Sequence, residues 1–288
     1  MQNTHKVIIE SGATKSEWAV LDHEKRVAFR HTTAGINMNY NSDEDIVAIV
    51  HDFNNAAAVC TANSIREVVY YGAGCGAPDN RKRIETLLAR TFAQADISVW
   101  SDLMAACHAL YGCEAGLTAI LGTGSSSCLY DGLQIIDRAP SLGYLLGDEG
   151  SGTYLGKQFV IKLLRNHLAP QIIAEFEAEF AIKKEQLIPL LYQSEEPNLL
   201  LASFAPFIAK HIAYPEINEI CITAFDRFFQ NDILYYPDYQ KYKLSFVGAV
   251  AYHFRSSIET VAANYGLTLG KILNSPMEEL LRFHILKS

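Results

Sequence analysis

With 288 residues, the chain is too long for one typical domain and suits two packed α/β domains. Hydrophobic residues make up 49% of it and charged residues 19%, which permits a sizeable core and argues against general disorder. A net charge of −8 without a dense run of lysine or arginine excludes a broad nucleic-acid-binding surface.

The sequence carries no signal for export or membrane insertion. Its N-terminus runs directly into a strand-like segment at 7–9, and no run of about 18 apolar residues occurs. The six cysteines form no CxxC pair and no zinc-like cluster with histidine, which favours buried, reduced thiols. We therefore expect a cytoplasmic protein that binds neither membranes nor nucleic acids.

Hydrophobic patterning predicts alternating strands and helices in the first part of the chain. Two apolar runs joined by small residues predict a hairpin at the start, and Ser42 followed by acidic residues predicts a capped helix. The predicted strands are 7–9, 18–22, 27–31, 67–71 and 97–100, and the predicted helices are 42–59, 80–93 and 103–111.

The pattern of strand, small-residue turn and strand returns near residue 123. This repetition predicts two related halves, 1–105 and 106–288. The remaining predicted strands are 117–121, 128–130, 134–137 and 244–247, and the remaining helices are 153–165, several up to about 231, 252–265 and one starting at Pro276.

Segment 10–16 is the first candidate phosphate loop. Small residues at a tight hairpin let backbone N–H groups approach phosphate oxygens. Glu10, at the end of a strand, could hold a hydrated magnesium ion. An ordinary hairpin turn explains the segment equally well. The candidate phosphate-binding residues are Gly12, Thr14, Lys15 and Ser16.

Segment 122–127 is a second small-residue loop between two apolar strands. Two such loops could clamp a polyphosphate, and neither is a Walker A loop, which needs GxxxxGK[ST] before a helix. The pair favours phosphate binding more than either loop does alone. Its candidate residues are Gly122, Thr123, Gly124 and Ser125.

Asp102 follows a predicted strand, and two interpretations of it stay open. A carboxylate at a strand's C-terminal end commonly points into the crevice of an α/β sheet, where it could act as a general base. The alternative is that Asp102 only caps the helix that begins at Leu103.

Segment 142–152 places four glycines around Asp148 and Glu149, just before a helix. Two carboxylates beside flexible backbone suit contacts to sugar hydroxyls, although a glycine-rich connection with exposed acids is the alternative. Asn37 is a weaker candidate, because asparagine binds sugars well but also forms turns. Segment 246–250 is a strand-to-helix turn on which a nucleobase could lie.

In chain order, these segments resemble the BadF/BadG/BcrA/BcrD-type ATPase family, and within it the N-acetylglucosamine kinases. Segments 10–16 and 121–125 resemble the two phosphate loops, 143–151 the sugar loop with Gly143 and Tyr144, and 246–250 the adenosine motif with Gly248 and Ala249. Asp102 matches the catalytic aspartate. The matches span nearly the whole chain.

The resemblance implies an α/β fold with two ribonuclease-H-like domains of the actin/hexokinase type, and an interdomain cleft for ATP, Mg²⁺ and a sugar. The final helix, 276–288, is then expected to pack back on the first domain. The implied activity is phosphorylation of the 6-hydroxyl of N-acetylglucosamine, with glucosamine, glucose or a muramic-type sugar left open. Analogy favours a homodimer.

Three departures from the family pattern leave the identity of the sugar open. Glu10 stands where many members carry Asp, although Glu also occurs in N-acetylglucosamine kinases, and its longer side chain would shift the metal. Residues 141–144 read Ser-Leu-Gly-Tyr where Gly-Gly-Trp-Gly is frequent, and Ala249 follows Gly248 where Gly or Ser is usual. ATP binding remains the expectation.

Two other functions are compatible with the resemblance. Some relatives activate radical dehydratases through an iron–sulfur cluster, but Cys107 and Cys128 fall within apolar elements rather than an exposed loop. A non-catalytic sugar sensor is the other class, although a sensor has no need of a base such as Asp102. Sugar-stimulated ATP turnover would indicate a kinase, sugar-independent turnover an activator-type ATPase, and binding alone a sensor.

Overall fold

The computed structural model describes residues 4–57 and 60–287, so the end of the predicted helix 42–59 lies outside the described residues. The chain forms two compact units, Met1–Gly112 with Pro276–Ser288 (the first unit) and Cys113–Ser275 (the second unit). The predicted boundary at 105/106 falls inside a helix of the first unit. That helix ends at Gly112, whose φ of 62° suits glycine.

Strands and helices alternate much as the hydrophobic patterning predicts. Short 3₁₀ turns also occur, and a π-helical segment spans Phe229–Ile233. In chain order the strands are β1 (His5–Ser11), β2 (Lys15–Leu21), β3 (Val27–Ala34), β4 (Ile65–Gly72), β5 (Asp96–Ser101), β6 (Gly116–Leu121), β7 (Ser125–Tyr130), β8 (Ile135–Asp137), β9 (Leu244–Val247) and β10 (Leu269–Leu273). The helices are α1 (Asp43–Ala56), α2 (Pro78–Thr91), α3 (Asp102–Tyr111), α4 (Gly143–Leu146), α5 (Gly152–Leu164), α6 (Pro170–Phe180), α7 (Leu187–Gln193), α8 (Pro197–Ala202), α9 (Ala205–Lys210), α10 (Pro215–Phe228), α11 (Ala249–His253), α12 (Arg255–Asn264) and α13 (Met277–Lys287).

The two units contain mixed sheets of the same topology. The first sheet has the order β3-β2-β1-β4-β5, with antiparallel pairing from β1 to β3 and parallel pairing of β1, β4 and β5. The second has the order β10-β9-β6-β7-β8, in which β6 to β10 repeat the pairing of β1 to β5. This repeat confirms the predicted α/β class and the prediction of two related halves.

The parallel strands of each sheet end together, and this alignment positions the candidate site residues. In the first unit Ser11, Gly72 and Ser101 lie side by side at the ends of β1, β4 and β5. In the second unit Ile120 and Val247 are paired near the ends of β6 and β9. Loops that follow these strands therefore leave each sheet from one edge, where α/β proteins usually bind ligands.

The core of the first unit lies between its sheet and helices α1 and α2. Trp18 stacks on Phe53 with ring centroids 4.4 Å apart, and its indole N–H donates to Thr33 Oγ1 at 2.9 Å. The start of α1 is fixed by a capping box, in which Ser42 and Asp45 each accept from the other's backbone N–H. The predicted start of this helix is confirmed, whereas the helix ends at Ala56, earlier than predicted.

Helix α13 packs on α3 within the first unit. The Phe283 ring stacks on His108 with centroids 4.2 Å apart. The Tyr71 hydroxyl lies 2.8 Å from His108 Nδ1 and 3.0 Å from His284 Nε2, so it joins β4 to both helices. The last helix thereby supports the helix that begins with Asp102.

The core of the second unit is rich in phenylalanine. Phe159 of α5 packs against Phe176 of α6 and Phe207 of α9, with ring centroids 5.2 and 5.6 Å apart. The His211 ring stacks on Phe207 with ring centroids 4.0 Å apart. These contacts fix helix α5, which begins where the glycine-rich segment 147–152 ends.

The structure differs from the sequence-based elements in three places. The predicted helix 252–265 is two helices, because Phe254 leaves helical geometry (φ −102°, ψ 22°) and buries its ring in the core. Strand β10, which contains Gly270, has no counterpart among the predicted strands. Helix α4 occupies part of the segment expected to be a loop.

Among residues 4–57 and 60–287, no helix combines the length and apolar character needed to cross a membrane.

Gly156 provides a test of the close packing between α5 and α8. A Cβ at this position would lie 2.0 Å from the Leu201 carbonyl oxygen. Helix propensity alone predicts that Gly156→Ala stabilises the protein by about 1 kcal/mol. We expect the opposite, a loss of about 1–3 kcal/mol, because the added methyl group clashes with backbone.

Chemical denaturation would measure this change, with Gln158→Ala in the same helix as the control. Because Gln158 is partly exposed, its replacement is expected to have little effect. A Gly156→Ala protein as stable as wild type would show that α5 and α8 are not in tight contact.

Candidate active site

The hairpin between β1 and β2 is fixed from within the first unit. Ser11 Oγ lies 2.6 Å from Ser16 Oγ, and the Ile36 N–H donates to Ser11 Oγ at 2.9 Å. Ser16 is fully buried. The Ser16 hydroxyl, which the sequence offers as a phosphate donor, is thus enclosed and paired with Ser11.

The tip of this hairpin is exposed, and Gly35 lies against its backbone. A Cβ at Gly35 would be only 2.5 Å from the Gly12 carbonyl oxygen. Thr14 is exposed, while its carbonyl oxygen accepts from the Gly35 N–H at 3.2 Å. Lys15 Nζ forms an ion pair with Glu17 Oε1 at 2.6 Å. Gly12 and Thr14 thus remain at the surface of the tip, whereas Lys15 is engaged with a carboxylate.

Glu10 lies in a poorly solvated position that disfavours its charged form. Burial raises its pKa to about 8, and the nearby carboxylates of Glu17 and Asp102 add to the shift, which Lys15 partly offsets. Glu10 and Glu17 are direct neighbours in the register of β1 and β2. Such a carboxyl group fits a cation, because a positive charge would relieve both the desolvation and the repulsion.

Magnesium usually binds through one or two carboxylates, with substrate phosphates and water as its other ligands. Within the described residues there is no group of three or more His, Cys, Asp or Glu that could hold a metal ion. Glu10 therefore fits a magnesium ion that arrives with a nucleotide rather than one bound by the protein alone.

Asp102 is the first residue of α3, and the cap of that helix is Ser101. Ser101 Oγ accepts from the Met104 N–H at 3.2 Å. The Asp102 carboxylate is partly exposed, and its Oδ1 accepts from the Leu103 N–H at 2.9 Å. The interpretation of Asp102 as the helix cap is therefore wrong. Its position after β5 at the aligned strand ends is the one expected of a general base.

Asn37 lies in a turn beside the end of β4, where it bridges to Ala73. Its side-chain oxygen accepts from the Asn39 N–H at 3.0 Å, so that oxygen serves the turn. Asn80 ties the same turn to the loop after β4, donating to Asn39 Oδ1 at 3.0 Å and to the Gly74 carbonyl at 2.9 Å. Only the amide NH₂ of Asn37 is left to donate to a ligand.

In the second unit, the loop after β6 is bonded to the start of α5. The N–H groups of Gly152 and Thr153 donate to the carbonyls of Gly122 and Thr123 at 2.8 and 3.2 Å. The Thr153 hydroxyl also donates to the Thr123 carbonyl at 2.7 Å. These carbonyls thus satisfy donors that a helix N-terminus leaves unpaired.

The same bonds orient the amides of the loop. The C=O and N–H of one trans peptide point in opposite directions. Because the carbonyls of Gly122 and Thr123 point toward α5, the N–H groups of Thr123 and Gly124 point away from it. A side chain at Gly122 would meet nothing within 4 Å, so this side of the loop is open. The loop can present these N–H groups to an anion.

The first carboxylate of the glycine-rich segment contacts this loop. Asp148 Oδ2 would lie 3.1 Å from a Cβ at Gly124, and the Ser125 N–H points toward Asp148 Oδ1 at 3.4 Å. Asp148 itself adopts a left-handed conformation (φ 57°), which is uncommon outside glycine and often found at functional sites. Burial raises its pKa, and Glu149 adds to the shift.

The predicted adenosine motif lies against the same loop. Gly248 has a φ of 124°, and a Cβ there would be 2.2 Å from the Leu121 carbonyl oxygen. Only glycine fits this approach of the β9–α11 turn to the end of β6. Ala249 is exposed at the start of α11. The structure thus brings together Gly248, loop 122–125 and Asp148, three segments that are far apart in sequence.

The predicted sugar loop begins with a short helix. Gly143, with a φ of 68°, opens α4, and Tyr144 is half-buried. Leu145 and Leu146 are 73% and 79% exposed, so this helix presents apolar side chains rather than burying them. Gly147 ends it directly before Asp148 and Glu149.

Sequence reasoning missed two polar residues beside Glu149. Asn231 Nδ2 donates to Glu149 Oε1 at 2.8 Å. Burial raises the pKa of Asp232 to about 7, and the charges of Glu149 and Asp148 add to this shift. Both residues lie in the π-helical segment Phe229–Ile233, and such segments frequently occur at functional sites. The available signal was the polar run Gln230-Asn231-Asp232 between Phe229 and Ile233.

No model of a known protein family matches the chain, and no curated protein is significantly similar to it. Solved structures do match. A candidate N-acetylglucosamine kinase from Porphyromonas gingivalis is 36% identical over 97% of this chain and 98% of its own, with a TM-score of 0.92.

Two more distant structures share the fold. A candidate N-acetylglucosamine kinase from Chromobacterium violaceum is 15% identical over 98% of this chain and 99% of its own, with a TM-score of 0.73. A ROK family glucokinase from Streptomyces griseus, in complex with glucose and AMPPNP, is 13% identical over 98% of both chains, with a TM-score of 0.55.

The pKa of Asp232 leads to a pH-dependent prediction. Its folded-state pKa of about 7 lies above its ordinary value of 3.8, so ionisation destabilises the fold. Wild-type stability should therefore fall as pH rises from about 4 to 7, and Asp232→Asn should remove this loss. We expect the variant to melt about 2–6 °C higher than wild type at pH 8, and at about the same temperature at pH 4.

Thermal unfolding across this pH range would measure the difference. The control is Asp238→Asn, an exposed position with φ of 58° that asparagine also adopts. If the melting temperature of Asp232→Asn exceeds that of wild type by the same amount at every pH, Asp232 is not the group whose ionisation destabilises the fold.

Proposed function

Because the chain belongs to the N-acetylglucosamine kinase-like group of the actin/hexokinase/Hsp70 superfamily, we propose that it transfers the γ-phosphoryl group of ATP to an amino-sugar hydroxyl. One observation carries the proposal. Loop 122–125, which turns N–H groups outward, is hydrogen-bonded to the segment that bears Asp148 and Glu149. Hydrogen bonds thus join a phosphate-binding surface to a pair of hydroxyl-binding carboxylates within the second unit.

Phosphate binding falls to the two hairpin tips. In the first unit, Thr14 offers a hydroxyl donor at the exposed tip. Gly12 adds no side chain beside it, and its own N–H donates to the Lys15 carbonyl at 3.0 Å. In the second, the N–H groups of Thr123 and Gly124 and the Thr123 hydroxyl are the donors. Glu10 would hold magnesium together with the phosphates, and the ion would neutralise their charge. Gly248 and Ala249 are the proposed contacts of the adenosine.

Sugar binding falls to Asp148, Glu149 and the Asn37 amide. Carboxylates accept hydrogen bonds from hydroxyl groups, and an amide NH₂ donates to them, so each of these groups can bind a polyol. Gly143 and Tyr144 begin the adjoining short helix. N-acetylglucosamine with its primary 6-hydroxyl as acceptor is the leading substrate, which the P. gingivalis relative supports by its name.

Asp102 is the proposed general base. It would accept the proton of the attacking hydroxyl as the oxygen bonds to the γ-phosphorus and ADP leaves. Ser101 caps α3, so the carboxylate does not serve that role. Packing of α13 on α3 keeps the helix, and with it the base, in place.

ATP consumption with and without a panel of amino sugars tests the proposal. We expect turnover that depends on sugar and is highest with N-acetylglucosamine. Turnover without sugar would indicate an ATPase acting on a partner protein, and sugar binding without turnover would indicate a sensor.

Asp102→Asn tests the base. Asparagine is nearly the same size, and Ser101 remains as the cap, so folding and ATP binding should persist while kcat falls by about 10²–10⁴-fold. Steady-state kinetics and calorimetric ATP binding would measure both. Asp96→Asn, an exposed change at the other end of β5, is the matched control. If folded Asp102→Asn keeps near-wild-type turnover, Asp102 is not the base, and Asp148 or Glu149 becomes the candidate.

Thr14→Val and Thr123→Val test the two phosphate loops. Each change removes one hydroxyl donor, which is worth about 1.5–3 kcal/mol when it contacts a charged oxygen. We therefore expect kcat/KM for ATP to fall about 10–100-fold in each variant. Thr32→Val, on the exposed surface of β3, should leave kcat/KM unchanged. Unchanged values in both loop variants would rule out binding by the hydroxyls.

A further inference from the structure

The π-helical segment Phe229–Ile233 places the side-chain amide of Asn231 next to Glu149, the second carboxylate of the proposed sugar-binding pair. Asn231 Nδ2 donates to Glu149 Oε1 at 2.8 Å, across 82 residues of sequence. This bond occupies one oxygen of the carboxylate. The other, Oε2, lies beside Gly147, where an added Cβ would come within 3.5 Å of it. Gly147 thus leaves space next to the oxygen that Asn231 does not use.

Glu149 needs such a contact because like charges surround it. Asp148 precedes it in sequence, and the Asp232 carboxyl is close enough for Glu149 to help raise its pKa, after burial. Ionised Asp232 and Glu149 repel each other. Without a donor, the lowest-energy arrangement would turn the Glu149 side chain away from Asp232.

The segment that carries Asn231 is itself anchored in the second unit. Four contacts hold Tyr236, Asp232 and Gly150 in place. The Tyr236 hydroxyl lies 2.7 Å from Ser127 Oγ of β7 and accepts from the Ala139 N–H at 2.8 Å. The Ser127 hydroxyl also points toward the Asp232 carbonyl oxygen at 3.5 Å. A Cβ at Gly150 would lie 3.1 Å from Phe228, so the glycine-rich segment rests directly on α10.

We propose that Asn231 is a positioning residue for Glu149. Its amide holds Oε1 against the repulsion from Asp232, and Oε2 is thereby presented to accept a hydrogen bond from a sugar hydroxyl. The inference rests on the proposed function and adds to it a residue that touches neither ATP nor sugar. Its effect should therefore appear in sugar affinity rather than in chemistry.

Kinetics of Asn231→Ala test this role. We expect the KM for sugar to rise about 3–10-fold, the loss expected from one exposed hydrogen bond, while kcat and the KM for ATP stay the same. Gln230→Ala is the matched control, because Gln230 lies on the same segment but donates to Asp226 Oδ2 at 2.7 Å. This control should leave the KM for sugar unchanged.

A double-mutant cycle with Asp232→Asn separates positioning from a general structural role. If repulsion from Asp232 displaces Glu149, then Asn231→Ala should raise the KM for sugar much less when Asp232 is already Asn. A thermal unfolding curve of each variant accompanies the kinetics. A merely structural Asn231 would lower the melting temperature equally in both backgrounds.

The outcomes distinguish failure of the positioning role from failure of the proposed function. If wild-type protein phosphorylates no sugar, the proposed function fails, and the positioning role fails with it. If wild-type protein is active but Asn231→Ala keeps the wild-type KM, only the positioning role is overturned. An equal rise in KM with Asp and with Asn at 232 also overturns it.

Discussion

The bonds between the N-terminus of α5 and the loop after β6 determine much of the second unit's candidate site. Helix starts leave N–H groups without partners, and here the first of them donate to the carbonyls of Gly122 and Thr123. This pairing turns the following N–H groups outward and fixes the loop to the segment that contains Asp148 and Glu149. One backbone arrangement therefore supplies both an anion-binding surface and the placement of the acids next to it.

Both units hold carboxyl groups in places that disfavour their charge. Burial raises the pKa of Glu10 in the first unit, and of Asp148 and Asp232 in the second. Such groups destabilise a fold, so their presence at aligned strand ends and in a glycine-rich segment indicates a role in binding. In the proposed function a cation would compensate the charge of Glu10, and sugar hydroxyl groups would compensate that of Asp148 through hydrogen bonds.

The sequence predicts those features that depend on local pattern. The hairpins and the glycine-rich segment around Asp148 follow from apolar runs interrupted by small residues, whereas the alignment of the strand ends depends on sheet register. Ser101 and Asp102 are both good caps, so only the structure shows that the serine caps α3 and the aspartate does not. The burial of the Ser16 hydroxyl could not be predicted, because its pairing with Ser11 depends on residue 36, which lies 20 positions further along the chain and also bonds Ser11. Asn231 could not be placed, because a π-helical turn and a contact across 82 residues orient it.

The central claim, phosphoryl transfer to a sugar, is tested most directly by proton-coupled ³¹P NMR of a reaction with ATP, Mg²⁺ and N-acetylglucosamine. The account predicts ADP and a sugar phosphate in equal amounts. The new phosphorus signal should be split by two methylene protons, as expected for a primary hydroxyl. Formation of ADP with inorganic phosphate alone, or no ADP with any amino sugar, would contradict the account.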